Sequence, residues 1–265
     1  MFLYDYHMHS LRSGDGKDAI TDMCGQALKM GLEEIAVTDH FEPCESDKTY
    51  PFYNFQKYIA DLMVANVIYF DKIKIKSGVE LGQPHMYPEV SLRLIEENPY
   101  DYVIASDHKL RDGRDFSEIT YTNENVDKYC SIYLDELTMM AKWDNFDCLG
   151  HLDLVKRYAA RNGISVHFMD YAERLEEILK TVISNGKGIE VNTSGLRQKA
   201  AECFPGLDIL CFYKQLGGQI ITVGSDAHNA VDVGKGINEA IELIKTAGFD
   251  YLTVYTKRQP SMIKI

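Results

Sequence analysis

Apolar positions along this chain alternate between two kinds of run. Short β-rich runs fall at residues 2–6, 33–37, 73–80, 102–105, 146–150, 188–192 and 219–223. Longer stretches between them repeat at helical spacing. Within residues 17–30, Ile20, Met23, Cys24 and Ala27 share one face, and Gly31 follows as a C-terminal cap. Within 171–185, Leu175, Ile178, Leu179 and Val182 do the same ahead of Gly186. Residues 58–70, 126–143, 207–216 and 237–247 predict further helices, and 251–255 a further strand. Strand and helix in alternation imply a parallel sheet of βαβ units. Seven such strands suit a closed α/β barrel formed by residues 1–265 as one domain. Two polar stretches, 42–53 and 109–124, read as long loops, and loops of that length in compact domains often carry function.

Placing the polar residues on this pattern brings out the chemistry. His7 and His9 follow the first strand, Asp39 and His40 the second, Glu80 ends the third, His108 follows the fourth and His151 the fifth. The sixth runs into Asn192, Thr193 and Ser194, and the seventh into Asp226 and His228. Parallel strands in a barrel end on one face, where active sites of such folds lie. Six of the eight histidines fall at those ends; His85 and His167 do not and read as surface or loop residues. In an extended His-x-His both side chains project to one side, so both rings can reach one ion, and Asp226 and His228 share that spacing. Asp39 points to the other side of its strand from His40 and reads as a supporting acid. Imidazoles and carboxylates together suit zinc, iron or manganese.

Composition narrows the alternatives. The formal net charge is −12 with no basic stripe, which argues against nucleic acid as partner. Bound metal ions would still let such a chain take an anionic small molecule. The six cysteines are scattered, with no CxxC pair, so a thiolate zinc site is not expected and reduced thiols are. No apolar run approaches the roughly 20 residues needed to cross a bilayer, and the start lacks the pattern of an export signal; a cytoplasmic location is the expectation. Oligomeric state is not legible.

The segments Tyr-His-Met-His-Ser, Val-Thr-Asp-His-Phe-Glu, Gly-Val-Glu-Leu-Gly, Gly-His-Leu-Asp-Leu and Gly-Ser-Asp-Ala-His, in that order up to residue 228, resemble the signature blocks of the PHP (polymerase and histidinol phosphatase) superfamily. The resemblance implies a distorted (β/α)7 barrel with three divalent metal ions (zinc, manganese or iron). It implies that His7, His9, Glu80 and Asp226 hold one ion. Glu80 would bridge to a second ion held by His108 and His151, and Asp15, His40 and His228 would hold the third. Asp15 stands where some relatives carry histidine, and taken alone it reads as a turn residue in Ser13-Gly14-Asp15-Gly16.

The segments 190–197 and 150–157 resemble the histidinol phosphatase branch, which implies Arg197 and Arg157 as phosphate contacts, with Ser194 at the substrate. Lys156 and Asn192 lie beside them. Glu80, Asp226, Arg157 and Arg197 would then carry catalysis, the guanidinium forks matching phosphate oxygens. The implied reaction is metal-assisted hydrolysis of a phosphomonoester, L-histidinol phosphate above all. The loop 41–53, with Glu42, Glu45 and Asp47, is a place for an ammonium to dock. Asp107 and Lys109 depart from the usual neighbours of the fourth-strand histidine and add charge there. Three other readings share parts of this pattern: a phosphoesterase for another phosphomonoester such as a nucleotide, a C–N hydrolase, and a metal-stabilised binding module without catalysis.

Overall fold

Strand and helix alternate through the computed structural model, which describes residues 2–43 and 53–265. The parallel strands are β1 (Tyr4–Asp5), β2 (Glu34–Val37), β3 (His40–Phe41), β4 (Lys74–Gly82), β5 (Tyr102–Ser106), β6 (Cys148–Leu149), β7 (Gly188–Asn192) and β8 (Ile221–Gly224). They run β1-β2-β4-β5-β6-β7-β8, with β3 beside the end of β4. Every residue of β2, β5, β7 and β8 is buried, as expected of parallel strands covered on both faces. The helices are α1 (Ile20–Lys29), α2 (Phe55–Ile68), α3 (Pro88–Glu97), α4 (Val126–Trp143), α5 (Val155–Arg161), α6 (Ala172–Ser184), α7 (Leu207–Gln215) and α8 (Ile237–Thr246). The predicted apolar faces are the buried ones: Ile20, Met23, Cys24 and Ala27 in α1, and Leu175, Ile178, Leu179 and Val182 in α6. Each of the Ile, Leu, Val and Met side chains among them contributes about 1.5–3 kcal/mol through burial.

The ring closes where the chain's first and last barrel strands meet. Tyr6 N donates to Val223 O (2.9 Å), Asp226 N to His7 O (2.7 Å) and His9 N to Ala227 O (2.8 Å). The seam is therefore made by the same short segments that carry His7, His9, Asp226 and His228. The other end is covered by an antiparallel hairpin, β9 (Tyr251–Thr256) and β10 (Gln259–Lys264). Tyr4 Oη donates to Thr253 O (2.9 Å), Tyr6 Oη accepts from Tyr255 N (3.0 Å), and the Tyr102 and Tyr255 rings lie 5.0 Å apart. Tyr6 also donates to the buried Glu34.

The sequence reading missed β3, β10, α3 and α5. In α3 only Ser91 and Ile95 are buried. The strand expected over 146–150 contracts to Cys148–Leu149, and the one expected over 73–80 extends to Gly82.

Candidate metal centre

Strand geometry places the cluster. The β3–β4 register sets His40 opposite Glu80, and the β4–β5 register sets Gly82 opposite Ser106, two residues before His108. Glu80, fully buried, becomes the hub. Its Oε2 lies 3.2 Å from His7 Nε2, 3.5 Å from His9 Nε2 and 2.9 Å from His40 Nδ1. Its Oε1 lies 3.1 Å from His151 Nε2 and 3.4 Å from His108 Nε2, and accepts a 2.5 Å bond from Ser106 Oγ. Asp226 Oδ1 stands 3.5 Å from His9 Nε2 and 3.8 Å from His7 Nε2. Asp226 has a left-handed φ of 54°, a conformation that aspartate tolerates better than most residues. Asp15 Oδ2 reaches His228 Nε2 at 3.0 Å and His40 Nε2 at 3.6 Å. The structure thus brings together all nine residues that the resemblance assigned to metals. Three trios present ligand atoms within 4.8 Å of one another: His9, His40 and His228; His7, His9 and Asp226; His40, Glu80 and His108.

Whether ions fit can be judged from where the lone pairs point. His7 Nδ1 sits 2.5 Å from Glu190 Oε1, and His108 Nδ1 sits 2.6 Å from Glu42 Oε1. An imidazole that gives its Nδ1 proton to a carboxylate keeps a lone pair on Nε2. Those lone pairs face neighbouring rings: His7 Nε2 is 3.0 Å from His9 Nε2, and His108 Nε2 is 3.2 Å from His151 Nε2. Converging lone pairs repel unless a cation stands among them. Glu80 Oε2 is buried and faces three imidazole nitrogens, His40 Nδ1, His7 Nε2 and His9 Nε2, within 3.5 Å. The donor set therefore fits divalent ions.

Protons compete for the same places. Burial pulls His7 down, but Glu190, Glu80 and Asp226 hold it well above the usual imidazole value. Burial, then the nearby His40 and His228, push His9 well below it. Burial would raise Glu80; His7, His40 and His108 outweigh that and keep it well below the carboxylate range.

The supporting acids differ in role from the expectations. Asp39 accepts from Ser10 N (2.5 Å) and Ser10 Oγ (2.7 Å) and fixes the turn after His9. Glu42, expected to meet an ammonium, is instead committed to His108 and to Gln83 Nε2 (2.8 Å), while Glu45 and Asp47 lie outside the described residues. Asp107 is fully buried, and burial first, and Glu136 next, push its carboxyl well above the usual range. His85 lies in a turn, as a loop residue, with its side chain turned inward to pair with Glu136 at 2.8 Å. Glu190 is the notable omission. A carboxylate within the otherwise uncharged β7 run Gly-Ile-Glu-Val-Asn was the available signal, since buried charges are rare without a partner. A methyl at Gly224 would collide with His7 Cβ and Glu190 Oε1, so only glycine lets these two pack against β8.

The cluster opens into a cavity of about 260 Å³ lined by Arg157, Lys109, Asp115, Ser117, Tyr158 and Arg161 besides the cluster residues. Arg157 donates to Asp226 Oδ2 (2.8 Å) and Ser194 Oγ (2.5 Å), which ties Ser194 to two residues of the cavity wall. Asn192 Oδ1 accepts from Ser194 N (3.0 Å). Arg197 does not line the cavity; it donates to Ser225 O (2.6 Å), one residue from Asp226. Lys156 faces away, paired with Glu202 (2.8 Å) and Asp153 (3.3 Å). A wider groove of about 580 Å³ lies at the strands' opposite ends, among Asn66, Phe70, Lys72 and Ile75, and gathers no histidine.

A ring of parallel strands with imidazoles and acids at one mouth defines the class: the chain belongs to the PHP domain family, whose model matches residues 5–194. Within it, the chain is 33% identical to the histidinol-phosphatase of Lactococcus lactis over 95% of this chain and 94% of that protein. The crystal structure of histidinol phosphate phosphatase from the same organism, complexed with zinc, L-histidinol and phosphate, superposes with a TM-score of 0.82 at 30% identity, covering 98% of each chain. A Listeria monocytogenes protein superposes at 0.77 with 18% identity, over 89% of this chain and 99% of that one, and shares the fold.

Proposed function

We propose that this chain is a metal-dependent phosphomonoesterase that hydrolyses L-histidinol phosphate to L-histidinol and phosphate. One observation carries the reading: nine ligand-type side chains from seven separate stretches of sequence, Glu80 among them as the hub, gather at one mouth of the barrel. The Lactococcus relatives supply the substrate, through a name in one case and a bound product pair in the other.

His7, His9, Glu80 and Asp226 would hold one ion, Glu80, His108 and His151 a second, and Asp15, His40 and His228 a third. Ions held there supply a water of lowered pKa and offset the charge of a phosphoryl group. The chain's own residues do the rest. Arg157, already turned into the cavity by Asp226 and Ser194, offers a planar pair of donors to phosphate oxygens. Arg197, anchored on Ser225 O, is the second candidate contact. Glu190 and Glu42 hold the His7 and His108 rings with Nε2 facing the cluster. Burial of Glu80, His7 and His9 removes competing water and strengthens each charge interaction.

No helix among the described residues is long and apolar enough to cross a membrane. The test is phosphate release from L-histidinol phosphate against a panel of nucleotide and sugar phosphates. A clear preference for histidinol phosphate is expected, and equal or lower turnover than the panel would sink the substrate reading.

A further inference from the structure

One wall of the cavity is left unused by the cluster and by Arg157. It is formed by the loop after β5 and by α5, through Lys109, Asp115, Ser117, Tyr158 and Arg161. The loop is built, not draped. Lys109 and Asp115 form an antiparallel bridge, Leu110 N donates to Arg114 O (2.8 Å), and Phe116 N donates to His108 O (2.9 Å). Phe116 is fully buried, with its ring edge-on to Tyr133 at 5.3 Å. Arg111 clamps the loop to α4 with two bonds to Glu136, at 2.7 and 2.8 Å. Asp115 is thus held in register with the cluster residue His108.

The acids around this cavity differ in what already occupies them. Asp15 faces His228 and His40, Glu42 faces His108, Glu80 faces the ring of imidazoles, and Asp226 faces Arg157. Asp115 accepts one backbone bond, from Ser117 N at 2.7 Å, and forms no ion pair among the described residues. An ionised carboxylate has about four acceptor sites, so most of its capacity remains unspent. Arg161, on the same wall, is held over the Tyr158 ring at 4.7 Å.

A cavity with an anion-attracting cluster at one wall and an uncommitted carboxylate at another matches a ligand carrying phosphate and ammonium a few bonds apart. We propose that Asp115 is the specificity-determining carboxylate of this cavity and takes the protonated amine of an amino-alcohol phosphate. This rests on the phosphomonoesterase reading above and refines it. Charge-assisted bonds of this kind discriminate because a substrate lacking the amine leaves the half-buried Asp115 without its partner.

The experiment compares kcat/KM for L-histidinol phosphate and for p-nitrophenyl phosphate, which has no amine, in the parent, Asp115→Asn and Asp115→Glu. Asparagine keeps an oxygen for Ser117 N, so the turn is retained; metal content and melting temperature report on folding. The ratio of the two kcat/KM values should fall on the order of 10- to 100-fold in Asp115→Asn, carried mainly by KM for histidinol phosphate, with partial recovery in Asp115→Glu. A parent that prefers histidinol phosphate, paired with an Asp115→Asn enzyme that keeps the full ratio, overturns the assignment of Asp115. A parent with no preference between the two substrates overturns the substrate reading instead.

Discussion

Replacing Glu190 with glutamine removes one charge and almost no volume, yet the surrounding bonds leave the amide no good orientation. Glu190 Oε1 takes the His7 Nδ1 proton at 2.5 Å, while Oε2 accepts from His151 N at 3.0 Å and Asn192 Nδ2 at 3.2 Å. Asn192 is not free to flip, because its Oδ1 already accepts from Ser194 N and Ser194 Oγ. If the glutamine turns its oxygen toward His151, its NH2 faces His7 Nδ1. The His7 proton must then move to Nε2, which lies 3.2 Å from Glu80 Oε2 and can no longer offer a lone pair to an ion. If the oxygen turns toward His7 instead, NH2 faces two donors and a buried N–H goes unsatisfied, at a cost of about 1–3 kcal/mol. Either way metal affinity should fall about 10- to 100-fold, the range for loss of a carboxylate behind a ligating histidine. The assay is a zinc or manganese titration of chelator-stripped protein against a competing indicator, with the melting temperature of the stripped protein as control. Unchanged affinity and stoichiometry in Glu190→Gln would refute the claim that Glu190 sets the His7 tautomer.

Four further outcomes are expected. Glu80→Gln should lower both bound metal and turnover by at least tenfold, and an unchanged metal count measured by elemental analysis would remove Glu80 from the hub. Arg157→Met should weaken inhibition by inorganic phosphate about tenfold or more, and Arg197→Met should do so less, since Arg197 does not line the cavity; inhibition constants decide between them. Gly224→Ala should cost roughly 1–3 kcal/mol and loosen metal binding, because a methyl there strikes His7 and Glu190; denaturant midpoints check the first and metal titration the second. Burial pushes Asp147 up to about 6 against the pull of Arg258, so its folded pKa lies above the unfolded value near 3.9. Stability from that shift is present below about pH 4 and is lost as pH rises through about 6. The parent should lose on the order of 2 kcal/mol relative to Asp147→Asn between pH 4 and 7.5, and parallel melting curves across that range would contradict it.

The cluster was legible because strand ends are short, punctuated and rich in histidine, so His7, His40, His108, His151 and His228 stood out by position. What the sequence could not show was which carboxylates those histidines would find. Glu42 and Glu190 are far from His108 and His7 along the chain, by 66 and 183 residues, and only the closed barrel makes them neighbours. Asp15 became a candidate only through resemblance, since its spacing from His228 carries no local period. The hairpin β9–β10 was half visible. Its second strand, Gln259–Lys264, is almost wholly exposed and has no apolar alternation, and its turn uses Lys257 and Arg258 at left-handed φ values of 51° and 62° where Asn-Gly would have announced it. The Arg157 side chain was expected at phosphate from its block, but its clamp on Asp226 depends on how α5 docks, and α5 itself was not foreseen.

The most direct test of the account measures metal and turnover on one sample. Protein purified without chelator is analysed for zinc, manganese and iron, assayed for phosphate release from L-histidinol phosphate, stripped with a chelator and assayed again, then reloaded. The account predicts up to three divalent ions per chain, loss of turnover in step with their removal, and recovery on reloading. Full turnover by metal-free protein would contradict it.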